Sequence, residues 1–125
     1  MAMAETIVTL TVHGPRGSRQ VDGIADTAAT FTKIPRETAE AIGLEARFET
    51  QVELGDGRTV TRQLVLAEVE IEDVRRPVLV ALADNGEQSL VGYTTLEALG
   101  FKVDTVKHIL ERTAAIEYEG QPALR

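Results

Sequence analysis

One aspartate, Asp26, stands in a sequence context that suits acid–base chemistry. It ends a mostly apolar stretch, residues 21–25, and is followed at once by the hydroxyl residue Thr27 and by small residues at positions 28–30. Two carboxyl groups placed close together share one proton, so one acts as a base while the other acts as an acid. A structural interpretation is also open, because an aspartate after a strand often caps a turn. The other aspartates lack both the apolar lead and the hydroxyl-small-small sequel: Asp22, Asp56, Asp73, Asp84 and Asp104.

A glycine-rich turn and an apolar-apolar-Gly segment follow Asp26 along the chain. Gly55-Asp56-Gly57 separates two stretches in which apolar and polar residues alternate, residues 48–54 and 60–71. Asp-Gly between alternating stretches predicts a β-hairpin with a type I′ turn, which needs positive φ at both central positions. Leu90-Val91-Gly92 comes later and leads into residues 94–99, which have a helical pattern. The chain therefore offers three candidate functional segments in a fixed order.

Strands are the elements that must position these segments. The chain has 13 Val, 14 Thr and 7 Ile, and a high content of β-branched residues favours strands. Residues 7–12 and 18–24 predict a first hairpin around the turn at 14–17, because residues 7–12 alternate and both stretches flank Gly and Pro. The remaining predicted strands are residues 48–54, 60–71, 77–83 and 89–91, with two or three short ones within 101–118.

Two short helices interrupt the strands. Pro35 favours a helix start, so residues 36–42 predict a helix of about two turns that Gly43 ends. Residues 94–99 predict a second helix, in which Thr94 and Glu97 have the spacing of a capping box and Gly100 provides the stop.

The ordered motifs resemble those of the retroviral-type, retropepsin-like aspartic proteases, in particular the bacterial members of that clan. That family has the signature apolar-x-Asp-Thr/Ser-Gly-Ala/Ser/Thr, to which the segment around Asp26 is similar. Leu90-Val91-Gly92 is similar to its apolar-apolar-Gly segment. Leu96-Glu97-Ala98-Leu99-Gly100, followed by Val103-Asp104, resembles its terminal helix. The hairpin around Asp56 lies between these two motifs, where the family has its substrate-covering flap, and the three ordered matches span residues 21–104.

The resemblance implies a fold and a mechanism. The expected fold is all-β: a small closed β-barrel of retropepsin (acid protease) type with one or two short helices, formed as a single domain by residues 1–125. Only one Asp-Thr motif is present, so the resemblance implies a homodimer in which two Asp26 carboxylates activate a water against a polypeptide substrate. Residues 7–12 and 115–118 are the strands available for the dimer interface. No metal and no organic cofactor enters such a mechanism.

The same resemblance assigns the site residues. Asp26 is the expected catalytic residue, and Thr27 is expected to lock the two loops together across the dimer axis. The expected active-site loop is Thr27, Ala28, Ala29 and Thr30. The expected flap is Leu54, Gly55, Asp56, Gly57 and Arg58. The expected substrate pocket is Ile24, Leu90, Val91 and Gly92.

One residue departs from the family pattern. Ala28 stands where the signature has Gly, so its methyl group is expected either to strain the backbone, if φ is positive there, or to crowd the substrate. The alternative function is therefore a catalytically impaired retropepsin-like dimer that acts as a peptide-binding or assembly module. A third interpretation is a β domain unrelated to proteases, in which the motif is fortuitous.

Composition narrows the remaining function classes. The net charge of −7 disfavours nucleic-acid and membrane-surface partners, since both carry negative charge. The absence of Cys excludes disulfides, a thiolate nucleophile and Cys-based metal sites. No apolar stretch approaches the ~20 residues that span a bilayer, so a cytoplasmic location is the expectation.

Overall fold

Strands of 3 to 13 residues make up most of the described chain. The computed structural model describes residues 5–114. Its elements follow in the order β1 (Ile7–Gly14), β2 (Gly17–Asp26), β3 (Thr32–Pro35), α1 (Arg36–Ala41), β4 (Phe48–Glu53), β5 (Thr59–Ile71), β6 (Val74–Ala83), β7 (Leu90–Gly92), α2 (Tyr93–Leu99), β8 (Phe101–Asp104) and β9 (Ile109–Arg112).

Six of these strands form a closed barrel in the order β1-β2-β7-β3-β6-β5. The barrel closes because β5 pairs with β6 along most of its length and with β1 near its end. β4 pairs with β5 outside this ring and forms the first strand of a hairpin. β8 and β9 make a separate two-stranded sheet. The expected all-β closed barrel with two short helices is confirmed.

The core fills the barrel with side chains from alternate positions. Val65, Val69 and Ile71 on β5 are almost fully buried, and so are Leu10 and Val12 on β1. Each such side chain contributes about 1.5–3 kcal/mol by leaving water. The predicted period of two is therefore confirmed in both strands.

The sequence patterns miss β3 and misplace the start of α2. β3 is four residues long, too short for alternation to be recognised, and Pro35 ends it in an extended conformation before α1 begins. The capping box predicted from Thr94 and Glu97 is wrong. α2 begins at Tyr93 after Gly92, with no side-chain cap, because the Thr94 hydroxyl donates instead to the Thr30 carbonyl.

The type I′ turn predicted for the β4–β5 hairpin is also wrong. Among Gly55, Asp56 and Gly57, only Gly57 has a positive φ, of 89°. The Gly57 N–H donates to the Leu54 carbonyl at 2.9 Å, and the Leu54 N–H donates to the Arg58 carbonyl at 2.7 Å. This is typical of a three-residue loop with a left-handed glycine at its bulge. A type I′ turn over Asp56-Gly57 would also need a positive φ at Asp56, which this residue does not have.

The last part of the described chain contains two of the strands that the sequence predicts there. β8 and β9 match two of the short strands predicted within residues 101–118. The predicted interface strand at residues 115–118 lies outside the described residues. Neither helix among residues 5–114 has the length and hydropathy needed to cross a bilayer.

Candidate active site

Asp26 is placed by the parallel pairing of β2 with β7. It is the last residue of β2 and lies in register with Gly92. Its Oδ1 accepts a hydrogen bond of 3.0 Å from the Ala28 N–H, and its carbonyl accepts one of 3.1 Å from the Ala29 N–H. The turn-capping interpretation of Asp26 is therefore correct for Oδ1. Oδ2 has no hydrogen-bond partner among residues 5–114, so one carboxyl oxygen of this half-buried residue is left for another group.

The Asp26 loop, residues 26–31, is tied to the first turn of α2. The Ala29 carbonyl accepts the Tyr93 N–H at 2.8 Å. The Thr30 carbonyl accepts the Thr94 N–H at 3.1 Å and the Thr94 hydroxyl at 2.6 Å. The first N–H groups of a helix have no partner within the helix, so they are available to hold this loop.

A buried pair of threonines supports the loop from beneath. The Thr32 hydroxyl donates to the Thr95 hydroxyl at 2.6 Å and accepts the Gly92 N–H at 3.0 Å. Both side chains are fully buried. Sequence patterns do not reveal this pair, because the two residues lie 63 positions apart and neither belongs to the Asp-Thr motif. The pair fixes the end of β7 to the start of β3.

Gly92 lets the Asp26 loop approach β7 closely. A Cβ at this position would lie 2.3 Å from the carbonyl carbon of Phe31 and 2.7 Å from the Thr32 nitrogen, both backbone atoms. Val91 beside it is fully buried in the core. The structure thus places Val91 and Gly92 inside the barrel wall beneath the loop, and neither lines the cavity to which they were assigned.

A cavity of about 430 Å³ brings the Asp26 loop and the β4–β5 hairpin together. The predicted residues that line it are Asp26, Ala28, Ala29, Thr30, Leu54, Gly55 and Leu90. The other lining residues, which belong to none of the sequence motifs, are Phe31, Lys33, Val52, Glu53, Arg62 and Ala81. Strand register explains part of this second set, because Lys33 is paired with both Leu90 and Ala81.

The tip of the hairpin is exposed and is stabilised by local contacts. The Asp56 carboxylate accepts hydrogen bonds from the Arg58 N–H at 3.0 Å and from the Arg58 Nε–H at 2.7 Å. These bonds lower the pKa of Asp56. Asp56, Gly57 and Arg58 lie outside the cavity, whereas Leu54 and Gly55 line it. The hairpin therefore faces Asp26 with its first strand and its first turn residue.

A nearly buried cation, Arg62, forms part of the cavity wall at the base of the hairpin. Its side chain is 5 % exposed and donates two hydrogen bonds to Glu87, at 2.7 and 2.6 Å, and one to Asp84 at 3.3 Å. The hydrogen bonds from Arg62 lower the pKa of Glu87, and those to Glu87 raise the pKa of Arg62. The charge of Arg62 is thus compensated by two carboxylates from the β6–β7 turn.

Thr27 lies on the other side of the loop from this cavity. It is exposed and lines a second groove of about 520 Å³ beside Tyr93, Leu96 and Phe101. Its hydroxyl makes no hydrogen bond within residues 5–114. Ile24 lies in register with Leu90 but is not on the cavity wall.

A larger cavity of about 650 Å³ contains none of the predicted site residues. It is lined by residues such as His13, Arg16 and Arg47. Within residues 5–114 no three His, Asp or Glu side chains come close enough together to hold a metal ion, in this cavity or elsewhere.

Comparison with known proteins agrees with this geometry. A family model described as aspartyl protease matches residues 8–95, a range that includes the Asp26 loop, the β4–β5 hairpin and β7. A comparison with curated proteins finds no match.

Proposed function

The chain belongs to the aspartyl protease family, of retropepsin-like type, and we propose that it is a homodimeric aspartic endopeptidase with Asp26 as its catalytic residue. The observation that supports this most is the shared cavity. It joins the half-buried Asp26, the small residues that follow it and the hairpin in one cleft. A peptide lying in this cleft would have the loop on one side and the hairpin on the other.

The need for a second carboxylate supports the dimer. The described cavity wall contains two carboxylates, Asp26 and Glu53, and Glu53 lies on the exposed hairpin rather than on the fixed loop. A second copy of the chain would supply an identical Asp26 loop across a two-fold axis. The exposed Thr27 hydroxyl, which has no hydrogen-bond partner within residues 5–114, is free to contact that second loop.

In the proposed mechanism the two Asp26 carboxyl groups share one proton. The ionised one removes a proton from a water molecule, which attacks the carbonyl carbon of the peptide bond. The protonated one gives its proton to the carbonyl oxygen, which forms a tetrahedral intermediate. The carboxyl group that took the proton from water then gives it to the peptide nitrogen, so the C–N bond breaks, the amine leaves, and the other carboxylate takes back the hydroxyl proton as the carbonyl re-forms. The Ala28 N–H holds Oδ1 in a fixed position, so the loop orients the carboxylate before substrate arrives. The hairpin would cover the bound peptide and exclude water from the cleft.

Ala28 favours a second candidate function, a dimer that binds peptides without cleaving them. The structure removes one of the two expected effects of this residue. Ala28 does not have a positive φ, so the expectation of backbone strain is wrong. Its methyl group is exposed and lines the cavity, which leaves crowding of the substrate as the reason for reduced turnover. In that case Ala28→Gly increases kcat/KM, by up to ~100-fold, because small displacements at a reacting centre cost that much in rate.

The decisive experiment compares wild type with Asp26→Asn on a peptide library near pH 5 and pH 7. We expect wild type to cleave peptides and the variant to lose roughly 10³- to 10⁴-fold in kcat, since an amide cannot exchange the shared proton. Circular dichroism should show the same fold in both. Sedimentation should show a dimer at tens of micromolar. Unchanged turnover in Asp26→Asn, or a monomer that cleaves peptides, contradicts the proposal.

A further inference from the structure

Lys33 projects from β3 onto the wall of the cavity that contains Asp26. Its neighbours in the strand, Thr32 and Ile34, are fully buried, and side chains alternate along a strand, so Lys33 lies on the opposite face. Its register partners on the two adjacent strands, Ala81 and Leu90, line the same cavity. Strand pairing therefore fixes the base of this side chain inside the cleft.

Lys33 is held by no direct ion pair within the described part of the chain, unlike the second cation of the cavity wall. Arg62, the other cation on the cavity wall, is paired with Glu87 and Asp84. Lys33 makes no ion pair with any carboxylate of residues 5–114, although it lies near enough to Glu87 to help lower the pKa of that carboxyl. Lys33 is half-buried, as expected of a lysine whose stem lies along the wall while its ammonium group reaches the open part of the cavity.

We propose that Lys33 selects peptides with an Asp or Glu side chain near the scissile bond, by donating a charge-assisted hydrogen bond from Nζ to that carboxylate. This proposal rests on the proposed function, because it names the substrate class of the same cleft. The chain as a whole carries a charge of −7 and repels acidic peptides. At 0.15 M ionic strength that repulsion is screened beyond about 8 Å, whereas a direct contact with Lys33 is not. A preference for acidic residues would therefore originate in the cleft.

The test uses pairs of peptides that differ only by Glu or Gln at one position. Each peptide has a central pair of apolar residues as the expected cleavage site. The Glu or Gln is placed in turn at each position on both sides of that pair, and cleavage is measured in 0.15 M salt. We expect wild type to cleave the Glu peptide with a kcat/KM about five- to tenfold higher at one position or more, as a charge-assisted hydrogen bond of this kind implies. Lys33→Met should cleave the two peptides equally. Lys33→Glu should prefer Lys at the same position.

Lys107→Met is the matched control. It changes the net charge by the same amount, and Lys107 lies in the exposed turn between β8 and β9, outside the cavity. This variant should keep the preference for Glu. A wild type without that preference, or a Lys33→Met variant that retains it, overturns the proposal.

Glu53 provides a competing partner for Lys33, because it lines the same cavity from the hairpin. If Lys33 served to pair with Glu53 when the hairpin closes, Lys33→Met and Glu53→Gln would slow cleavage of the Glu and Gln peptides by the same factor. That result would overturn substrate selection by Lys33. Under the proposal, Glu53→Gln leaves the preference for Glu in place.

Binding separates this proposal from the proposed function. Fluorescence anisotropy with Asp26→Asn measures the affinity for labelled Glu and Gln peptides without turnover. Suppose that wild type cleaves nothing, that Asp26→Asn binds the Glu peptide more tightly than the Gln peptide, and that adding Lys33→Met to this variant removes the difference. The peptidase proposal then fails and the selection by Lys33 stands. If wild type cleaves both peptides with no preference, the selection fails and the peptidase proposal stands. The absence of both cleavage and binding overturns both proposals.

Discussion

The two sides of the candidate cleft are held in different ways. The Asp26 loop has its carbonyls bonded to the first turn of α2, and it rests on the buried Thr32–Thr95 pair and on the bare backbone of Gly92. The tip of the β4–β5 hairpin is exposed, and its side-chain bonds run between Asp56 and Arg58, two residues apart. Contacts between distant segments resist local opening, whereas contacts within one turn do not.

The contrast fits a site in which one wall is fixed and the other moves. Acid–base chemistry requires a carboxylate in a defined position, and peptide entry requires a cover that opens. Arg62 lies where the exposed hairpin joins the barrel. Its ion pairs with Asp84 and Glu87 attach the base of the hairpin to the β6–β7 turn, and we call this contact the clamp. Above this clamp the hairpin has few partners, and below it the strands belong to the barrel.

The largest expected effect follows from filling the gap at Gly92. Gly92→Ala places a methyl group against the backbone of Phe31, so either the loop or β7 must shift. We expect a loss of about 3 kcal/mol or more in the free energy of unfolding, since backbone cannot rearrange as a side chain does. Urea denaturation measures it.

Gly55→Ala on the hairpin is the matched control for Gly92→Ala. A Cβ at Gly55 meets nothing within 4 Å, and its φ is not positive. Gly55→Ala should therefore lower the free energy of unfolding by no more than about 0.5 kcal/mol. Equal stabilities for the two variants would show that the loop is not packed tightly against β7.

The second effect concerns the buried threonine pair. Thr32→Val removes the acceptor of the Gly92 N–H and leaves that donor buried without a partner, which costs about 1–3 kcal/mol. On the hairpin, Thr61→Val removes the exposed hydrogen bond from Gln51 and should cost less than about 0.5 kcal/mol. Thermal unfolding of the two variants compares the same chemical change in the two regions. Similar losses of stability in the two variants would mean that the support of the Asp26 loop is held no more firmly than the hairpin.

The sequence predicts the β4–β5 hairpin and the Asp26 motif better than it predicts the support beneath the Asp26 loop. Alternation over residues 48–54 and 60–71 identifies β4 and β5, because each strand has one face toward the core or cleft. Asp26 and the small residues after it form a local motif. Thr32, Thr95 and Gly92 meet through pairing of β7 with β2 and β3, and no local pattern encodes those crossovers.

The positions of Val91 and Lys33 in the fold show the same limit. Val91 belongs to a motif and was assigned to the pocket, yet the alternation of β7 directs it into the core. Lys33 belongs to no motif, yet the four-residue strand β3 places it on the cavity wall. Both outcomes depend on which face of a short strand meets the barrel interior, and three or four residues are too few to reveal that.

A third prediction tests the clamp between the two regions through its pH dependence. Arg62 lowers the pKa of Glu87 in the folded chain, below the ordinary value of 4.5. A carboxyl with a depressed folded pKa stabilises the fold above its unfolded pKa, and this contribution is lost as the pH falls through the folded value. Glu87→Gln should therefore cost about 1–2 kcal/mol at pH 7, between the values for exposed and buried pairs, and less as the pH falls through the lowered folded pKa.

Glu68→Gln serves as the control for the clamp, because the pair of Glu68 with Arg75 is half-exposed on both sides. Its effect should be close to zero at both pH values. Urea unfolding at the two pH values gives the comparison. A cost for Glu87→Gln that does not change with pH would mean that the charge of Glu87 contributes nothing to the clamp.

The smallest effect on stability is expected at the hairpin tip, where amide exchange is the measurement. Amides of residues 53–60 should exchange rapidly in the free protein and slow down when a peptide inhibitor binds, because a cover gains its contacts from the ligand. Asp56→Ala removes both bonds to Arg58, so exchange at Arg58 should increase while the midpoint of global unfolding stays unchanged. The amides of Tyr93 and Thr94, which hold the Asp26 loop, provide the internal reference and should exchange slowly in every sample. If residues 53–60 exchanged as slowly as this reference and did not respond to the inhibitor, both walls of the cleft would be fixed, and substrate entry would need another route.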